Sequence, residues 1–203
     1  MTTTNYLSPR DFKKMVDAIP LVTEYNISKL HPYQSIRVPK PQWLQYALWV
    51  QYCHALRISE VLNLKSKDFN FDRKILTLHN TKTGKKKKQF TSIPPDLPHE
   101  VIQEISCSAL NQVLFPFTRQ LIWSYVKKAA KMAGLELGEQ QDERFIEGAW
   151  THLIRKSWAK RMIELGASEV MVKVKLRHTL NVTERYTKPD INALIKWESE
   201  NIG

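Results

Sequence analysis

The 203-residue chain is 42% apolar and 10% aromatic, enough for a buried core and too apolar for a disordered protein. Its 31 Lys plus Arg outnumber 20 Asp plus Glu, leaving a net charge of +11 and a pI near 9.6, a surplus that points to a polyanionic partner, nucleic acid above all. Cys53 and Cys107 are too few for a disulfide framework or a thiolate zinc site. No apolar run approaches the roughly 18 residues of a membrane span, and the first residues lack a signal peptide's apolar stretch. The expectation is a cytoplasmic protein with no membrane partner.

In chain order, "SPRDFKKMVDAI" predicts a helix, with Ser8 as N-cap, Pro9 in the first turn and Asp11 favouring its positive end. The proline-rich "HPYQSIRVPKP" is a connection. "QWLQYALWVQYCHAL" is apolar over much of its circumference and predicts a central helix that stops at Leu56 to Ile58. "SEVLNLK" predicts a short helix capped by Ser59. The period then changes: "KILTLHN", "TKTG" and "KKKKQFTSI" read as strand, turn and strand, with Ile75, Thr77 and His79 alternating against Leu76 and Leu78.

Helical patterns return in "PHEVIQEI", in "TRQLIWSYVKKAAKMAG" between Thr118 as N-cap and Gly134 as stop, and in "THLIRKSWAKRMIELG" between Thr151 and Gly166. "LELGEQQDERFIEG" is polar and acidic and reads as a surface loop, and "SEVMVKVKL" as a further short helix. The fold class is α+β, mainly helical, with one small antiparallel sheet or hairpin, in a single unit over residues 1–203.

Four polar features do not fit the packing. Arg57 stands between a buried helix and a short one, with Glu60 three positions on to orient it. Lys82, Lys85, Lys86, Lys87 and Lys88 crowd the hairpin turn around Thr83–Gly84. His152 and Arg155 are three apart at a helix start, where they can face one anion. His178 and Tyr186 stand in "KLRHTLNVTERYTKPD" with basic residues on both sides. Singly, each has a plain structural reading: an ion pair, a solvated lysine face, a capping histidine, a packing tyrosine.

Together they suit phosphodiester chemistry. Two guanidiniums clamp the nonbridging oxygens and stabilise the charge that builds in the transition state. A phenol surrounded by cations becomes a workable nucleophile, and a lysine beside the leaving oxygen can supply its proton. No metal-ligand cluster stands out, so no metal and no cofactor are expected.

"ALRISEVLNLKSKDFNFDRKILTLHNTKTGKKK" and "THLIRKSWAKRMIELGASEVMVKVKLRHTLNVTERYT" resemble the two conserved blocks of the tyrosine recombinases, the phage integrase family, in the family's order and over most of residues 45–188. The resemblance implies a tyrosine-recombinase catalytic-domain fold. It implies that Tyr186 attacks the scissile phosphate, that Arg57 and Arg155 hold it, and that Lys82 is the general acid for the leaving 5′-oxygen. His152 would accept the tyrosine's proton, His178 would hydrogen-bond the phosphate, and Glu60 matches an acidic supporting position. Arg177 stands where most members have glycine, and Tyr186 comes one position sooner after His178 than in most members.

The expected partner is double-stranded DNA, touched by Lys85 to Lys88 and by Arg177, with a homo-oligomer, a tetramer, on DNA. The family's N-terminal core-binding domain is expected to be absent, either removed or never present. In the tail, residues 189–203, Asp190 is a candidate N-cap and Ile191, Leu194 and Ile195 form one stripe that docks on its own chain or on a neighbouring protomer. The function expected is site-specific DNA recombination through a 3′-phosphotyrosyl intermediate. The alternatives are a catalytically weakened DNA-binding protein of the same fold and a type IB topoisomerase-like nickase-ligase.

Overall fold

The computed structural model describes residues 6–28, 40–79, 88–135, 138–141, 144–147, 150–178 and 191–202. The hairpin turn with Lys82, Lys85, Lys86 and Lys87, the segment with Tyr186 and Asp190, and the proline-rich connection at 29–39 lie outside them.

Helix α1, Pro9–Asp17, starts as the sequence directs: Ser8 Oγ accepts the Asp11 N–H at 3.1 Å and Pro9 holds the first turn. It gives way at once to α2, Ile19–Ser28, which the sequence reading did not contain. The β-branched Ile19, Val22, Thr23 and Ile27 weaken the intrinsic signal for α2, while Pro20 sits in its first turn, where it is tolerated. Packing against neighbouring helices makes it helical instead.

Helix α3, Pro41–Cys53, is the central element, with Leu44, Ala47, Leu48, Val50, Tyr52 and Cys53 all buried. It ends earlier than expected. Short α4 follows at Ile58–Val61, with Arg57 rather than Ser59 at its N-cap. A 3₁₀ turn at Ser66–Asp68 leads into β1, Phe69–Asn70, then β2, Ile75–His79, and β3, Lys88–Ser92.

The three strands form an antiparallel sheet in the order β1-β2-β3, with Leu76 opposite Thr91 and His79 opposite Lys88. The alternation is as the sequence implies, Leu76 and Leu78 inward and His79 outward. The added strand β1 has two residues, too few to carry a period.

Beyond the sheet come α5, His99–Cys107, and α6, Arg119–Met132, capped by Thr118 whose hydroxyl accepts the Leu121 N–H. The expected surface loop is instead a ribbon of two antiparallel strands, β4 at Gly138–Gln141 and β5 at Arg144–Glu147. Its pairing is a backbone ladder, and its polar sequence gives no alternation to read. Helix α7, Trp150–Glu164, begins before Thr151, which therefore sits inside the first turn rather than at the cap. Helix α8, Glu169–Lys175, is capped by Ser168, and α9 spans Ile191–Asn201.

An aromatic stack joins α1, α3 and α7. Phe12 lies flat on Tyr52 at 4.0 Å between centroids, and Tyr52 meets the edge of Trp158 at 5.3 Å. Beside Trp158 is a buried ion pair. Lys175 Nζ, 5.5 Å from the Trp158 ring, lies 2.6 Å from Glu198 Oε1, and the two side chains are 0% and 1% exposed. The ammonium also donates to the Ser92 hydroxyl at 2.9 Å and the Ser92 carbonyl at 3.2 Å. One lysine thus ties α8 to the end of β3 and to α9. In this chain α9 packs on β3, with Leu194 and Ile202 buried and Ile191 and Ile195 half-buried.

Burial pushes the Lys175 ammonium down, and Glu198 opposes that shift. Lys175→Met alone strands a buried carboxylate and should cost about 3–5 kcal/mol in urea unfolding, whereas Lys175→Met with Glu198→Leu should return close to the parent midpoint.

Candidate active site

Four helix ends among the described residues close the same way. After α3, α6, α7 and α8, a residue of positive φ sends its N–H back three positions, and the next N–H reaches back five. Two of these residues are Gly134 (φ 70) and Gly166 (φ 86), the stops expected from sequence. The other two are Ala55 (φ 48) and Arg177 (φ 55). A side chain in this region costs roughly 1–2 kcal/mol. Both non-glycine ends belong to the site.

The turn at Ala55 brings Arg57 out at the start of α4, where Glu60 folds back over it. The Arg57 N–H donates to Glu60 Oε2 at 2.6 Å and Arg57 Nη1 to Oε1 at 3.0 Å. Arg155 arrives from α7, with its Nη1 3.9 Å from the same Oε2. Its guanidinium donates to the Ala55 carbonyl at 2.5 Å and to the Leu176 carbonyl. Gln51 fixes this corner by donating from Nε2 to the Thr151 carbonyl at 2.9 Å, tying α3 to the first turn of α7.

The structure therefore brings Arg57, Glu60 and Arg155 together, as the sequence reading requires. His178 joins them at the end of α8. Its ring is exposed, yet partial loss of hydration and then the charges of Arg155, Arg57, Arg177 and Lys173 hold it below its ordinary 6.5. The imidazole is neutral at pH 7. His152 is exposed on the first turn of α7, three positions before buried Arg155. Lys88 is exposed at the start of β3.

Arg177 was expected to face DNA, and the structure turns it inward. Its side chain is 4% exposed, and its guanidinium donates to Glu60 Oε2 at 2.8 Å, the Ala55 carbonyl at 3.1 Å and the Lys175 carbonyl at 2.9 Å. One signal for this was present in the sequence. The helix "SEVMVKVK" ends without the glycine that its closing turn favours, so the residue there needs compensating bonds. The Ala55 carbonyl, shared by two guanidiniums, has no signal in the sequence.

Burial would raise the Glu60 carboxyl, but Arg177, the Arg57 N–H, and the charges of Arg57 and Arg155 outweigh it, so the net shift is downward. Arg155 is pushed down to about 9 by burial and by Arg177 and Arg57, and remains cationic at neutral pH. Three guanidiniums around one carboxylate leave a surplus of positive charge, and Arg57, whose side chain is 37% exposed, bonds through its guanidinium to Glu60 alone among the described residues. Such a surface, with a neutral imidazole at its rim, is suited to a phosphate oxyanion.

The family model described as the phage integrase family matches residues 21–192, and the chain belongs to that family. Over 152 residues it is 29% identical to the tyrosine recombinase XerA of Pyrococcus horikoshii, covering 70% of this chain and 48% of that protein. It is 27% identical to XerA of Pyrococcus furiosus, covering 68% and 47%. The chain thus spans about half the length of the curated relatives it matches.

Among solved structures it resembles the XerH site-specific recombinase bound to difH substrate, with a TM-score of 0.57 and 20% identity over 92% of this chain and 51% of that one. The catalytic domain of bacteriophage HP1 integrase gives a TM-score of 0.57 and 18% identity over 90% and 86%. The fold is the mainly helical catalytic-domain fold that the resemblance implied.

The His178 imidazole should titrate below 6.5 in proton NMR. Arg57→Gln removes a positive charge that repels its proton, so the midpoint should move upward in that variant. An unmoved midpoint would place Arg57 away from the ring.

Proposed function

We propose that this chain cuts and rejoins DNA as a site-specific recombinase. The observation that carries the reading is the meeting of Arg57 and Arg155, from different helices, at the single carboxylate of Glu60 beside a neutral His178. Two guanidiniums at one point suit the nonbridging oxygens of a phosphodiester, and family membership makes that the chemistry to expect.

In this mechanism the Tyr186 oxygen attacks phosphorus, forming a 3′-phosphotyrosyl bond as the bond to the 5′-oxygen breaks. The phenolic proton passes to His152, and Lys82 protonates the departing 5′-oxygen. Arg57, Arg155 and His178 hold the charge that builds on the phosphoryl oxygens. The reverse step, with a 5′-hydroxyl from another strand, restores the phosphodiester, and bond energy is conserved throughout. Double-stranded DNA is the partner, and family membership together with the likeness to the XerH site-specific recombinase bound to difH substrate supports that assignment. Strand exchange requires more than one protomer, which makes a tetramer on DNA the working assembly.

A second reading is a DNA-binding protein of this fold with weakened cleavage, favoured by the short interval between His178 and Tyr186. A nicked suicide duplex separates the two. The parent chain should form a denaturant-resistant covalent adduct and Tyr186→Phe should form none. Binding without an adduct in either would leave the DNA-binding reading.

Arg57→Ala should lower adduct formation by at least about a hundredfold while duplex affinity stays within about tenfold, since lysines supply most of the salt-dependent attraction. Replacing Lys85 to Lys88 with Gln should flatten the dependence of affinity on salt. An unchanged slope would turn the hairpin away from DNA.

A further inference from the structure

We propose that Arg177 is a positioning residue: it occupies Glu60 and the Ala55 carbonyl so that Arg155 keeps its charge for the phosphate instead of closing on Glu60. The inference deepens the recombinase reading and rests on it.

Arg177 has 4% of its side chain exposed and gives its described hydrogen bonds to Glu60 and to the Ala55 and Lys175 carbonyls, so its visible work lies inside the protein. Backbone convenience cannot explain it, since φ is 55° there and two other turns of the same form use Gly134 and Gly166. An arginine held in an unfavourable backbone conformation and bonded to three acceptors acts through its guanidinium.

Its placement defines what it does. Glu60 Oε1 takes Arg57 Nη1, and Oε2 takes the Arg57 N–H at 2.6 Å and Arg177 Nη2 at 2.8 Å. Arg155 Nη1 is left 3.9 Å from Oε2, outside hydrogen-bond reach. With Arg177 gone, Oε2 has a vacant lone pair and Arg155 is the adjacent donor. A closure of about 1 Å would give a strong charge-assisted bond and neutralise a buried cation of the site. Arg177 also shares the Ala55 carbonyl with Arg155, which fixes the sideways position of that guanidinium. It adds a positive charge that Arg155 feels, as the downward push on Arg155 indicates.

The test is a cycle of Arg177→Gly, Glu60→Gln and the double variant, in the full chain. Glycine relieves the strained φ, so loss of fold is not the expected outcome, and a urea midpoint checks it. Adduct formation on a nicked suicide duplex should fall about tenfold or more in Arg177→Gly, with duplex affinity within about threefold. In the Glu60→Gln background the same change should cost less than about threefold, because no carboxylate remains to capture Arg155. Nitrogen-15 NMR of the Arg155 guanidinium should show its resonances moving in Arg177→Gly, as that group closes on Glu60, and holding still when the same change is made in Glu60→Gln.

A cleavage rate within about threefold of the parent, an equal penalty in both backgrounds, or an unmoved Arg155 guanidinium would each overturn the proposal. If the parent chain itself forms no adduct, the recombinase reading fails, and the Arg155 resonances alone decide whether Arg177 holds that guanidinium off Glu60.

Discussion

The carboxylate of Glu60 is where α4, α7 and the end of α8 meet. It accepts from the Arg57 backbone and side chain and from Arg177, and it lies within Coulombic range of Arg155. Three guanidiniums in one place repel one another, and at short range that repulsion is large in a partly dry environment. A single anion with both oxygens engaged makes the gathering tolerable without cancelling it. The remaining positive charge is an attraction for an anion built into the fold. Partial loss of hydration and then the same field hold the His178 imidazole below its ordinary value.

That carboxylate is placed by backbone turns rather than by a rigid sheet. The turn after α3 exposes the Ala55 carbonyl, and the turn after α8 delivers the Arg177 guanidinium to it. Both turns have positive φ at residues with side chains, a local strain confined to the site among the helix ends of this type. Arg155 spans the two, bonded to the Ala55 and Leu176 carbonyls. Helices remote in sequence are thereby locked together at the Glu60 carboxylate.

Beneath this layer, the Lys175–Glu198 pair connects the site to the periphery. Lys175 precedes Arg177 by two residues, and its ammonium reaches Ser92 at the end of β3 and Glu198 on α9. An ion pair with almost no exposure adds little net stability against apolar replacements, but it accepts few alternative geometries. It fixes where α8 ends relative to the lysine-bearing hairpin strand and to the tail. A displaced α9 would leave Lys175 unpaired within the core, and the cost would be felt next to Arg177 and His178.

The sequence by itself determined the elements whose signals are local. Ser8, Thr118, Gly134 and Gly166 mark their helix ends through side-chain caps and backbone freedom, and β2 carries its alternation in five residues. It also determined that Arg57, Glu60 and Arg155 belong together, because residue type and motif order survive without coordinates. Tertiary structure alone decided the rest. Helix α2 and the β4–β5 ribbon exist because neighbours or a backbone ladder supply what propensity does not. The inward course of Arg177 depends on a carboxylate more than a hundred positions away. Charge and type are properties of a residue, whereas the acceptor that a guanidinium finds is a property of the packed chain. For that reason the sequence could name the cations of this site but not say which acceptor each of them finds.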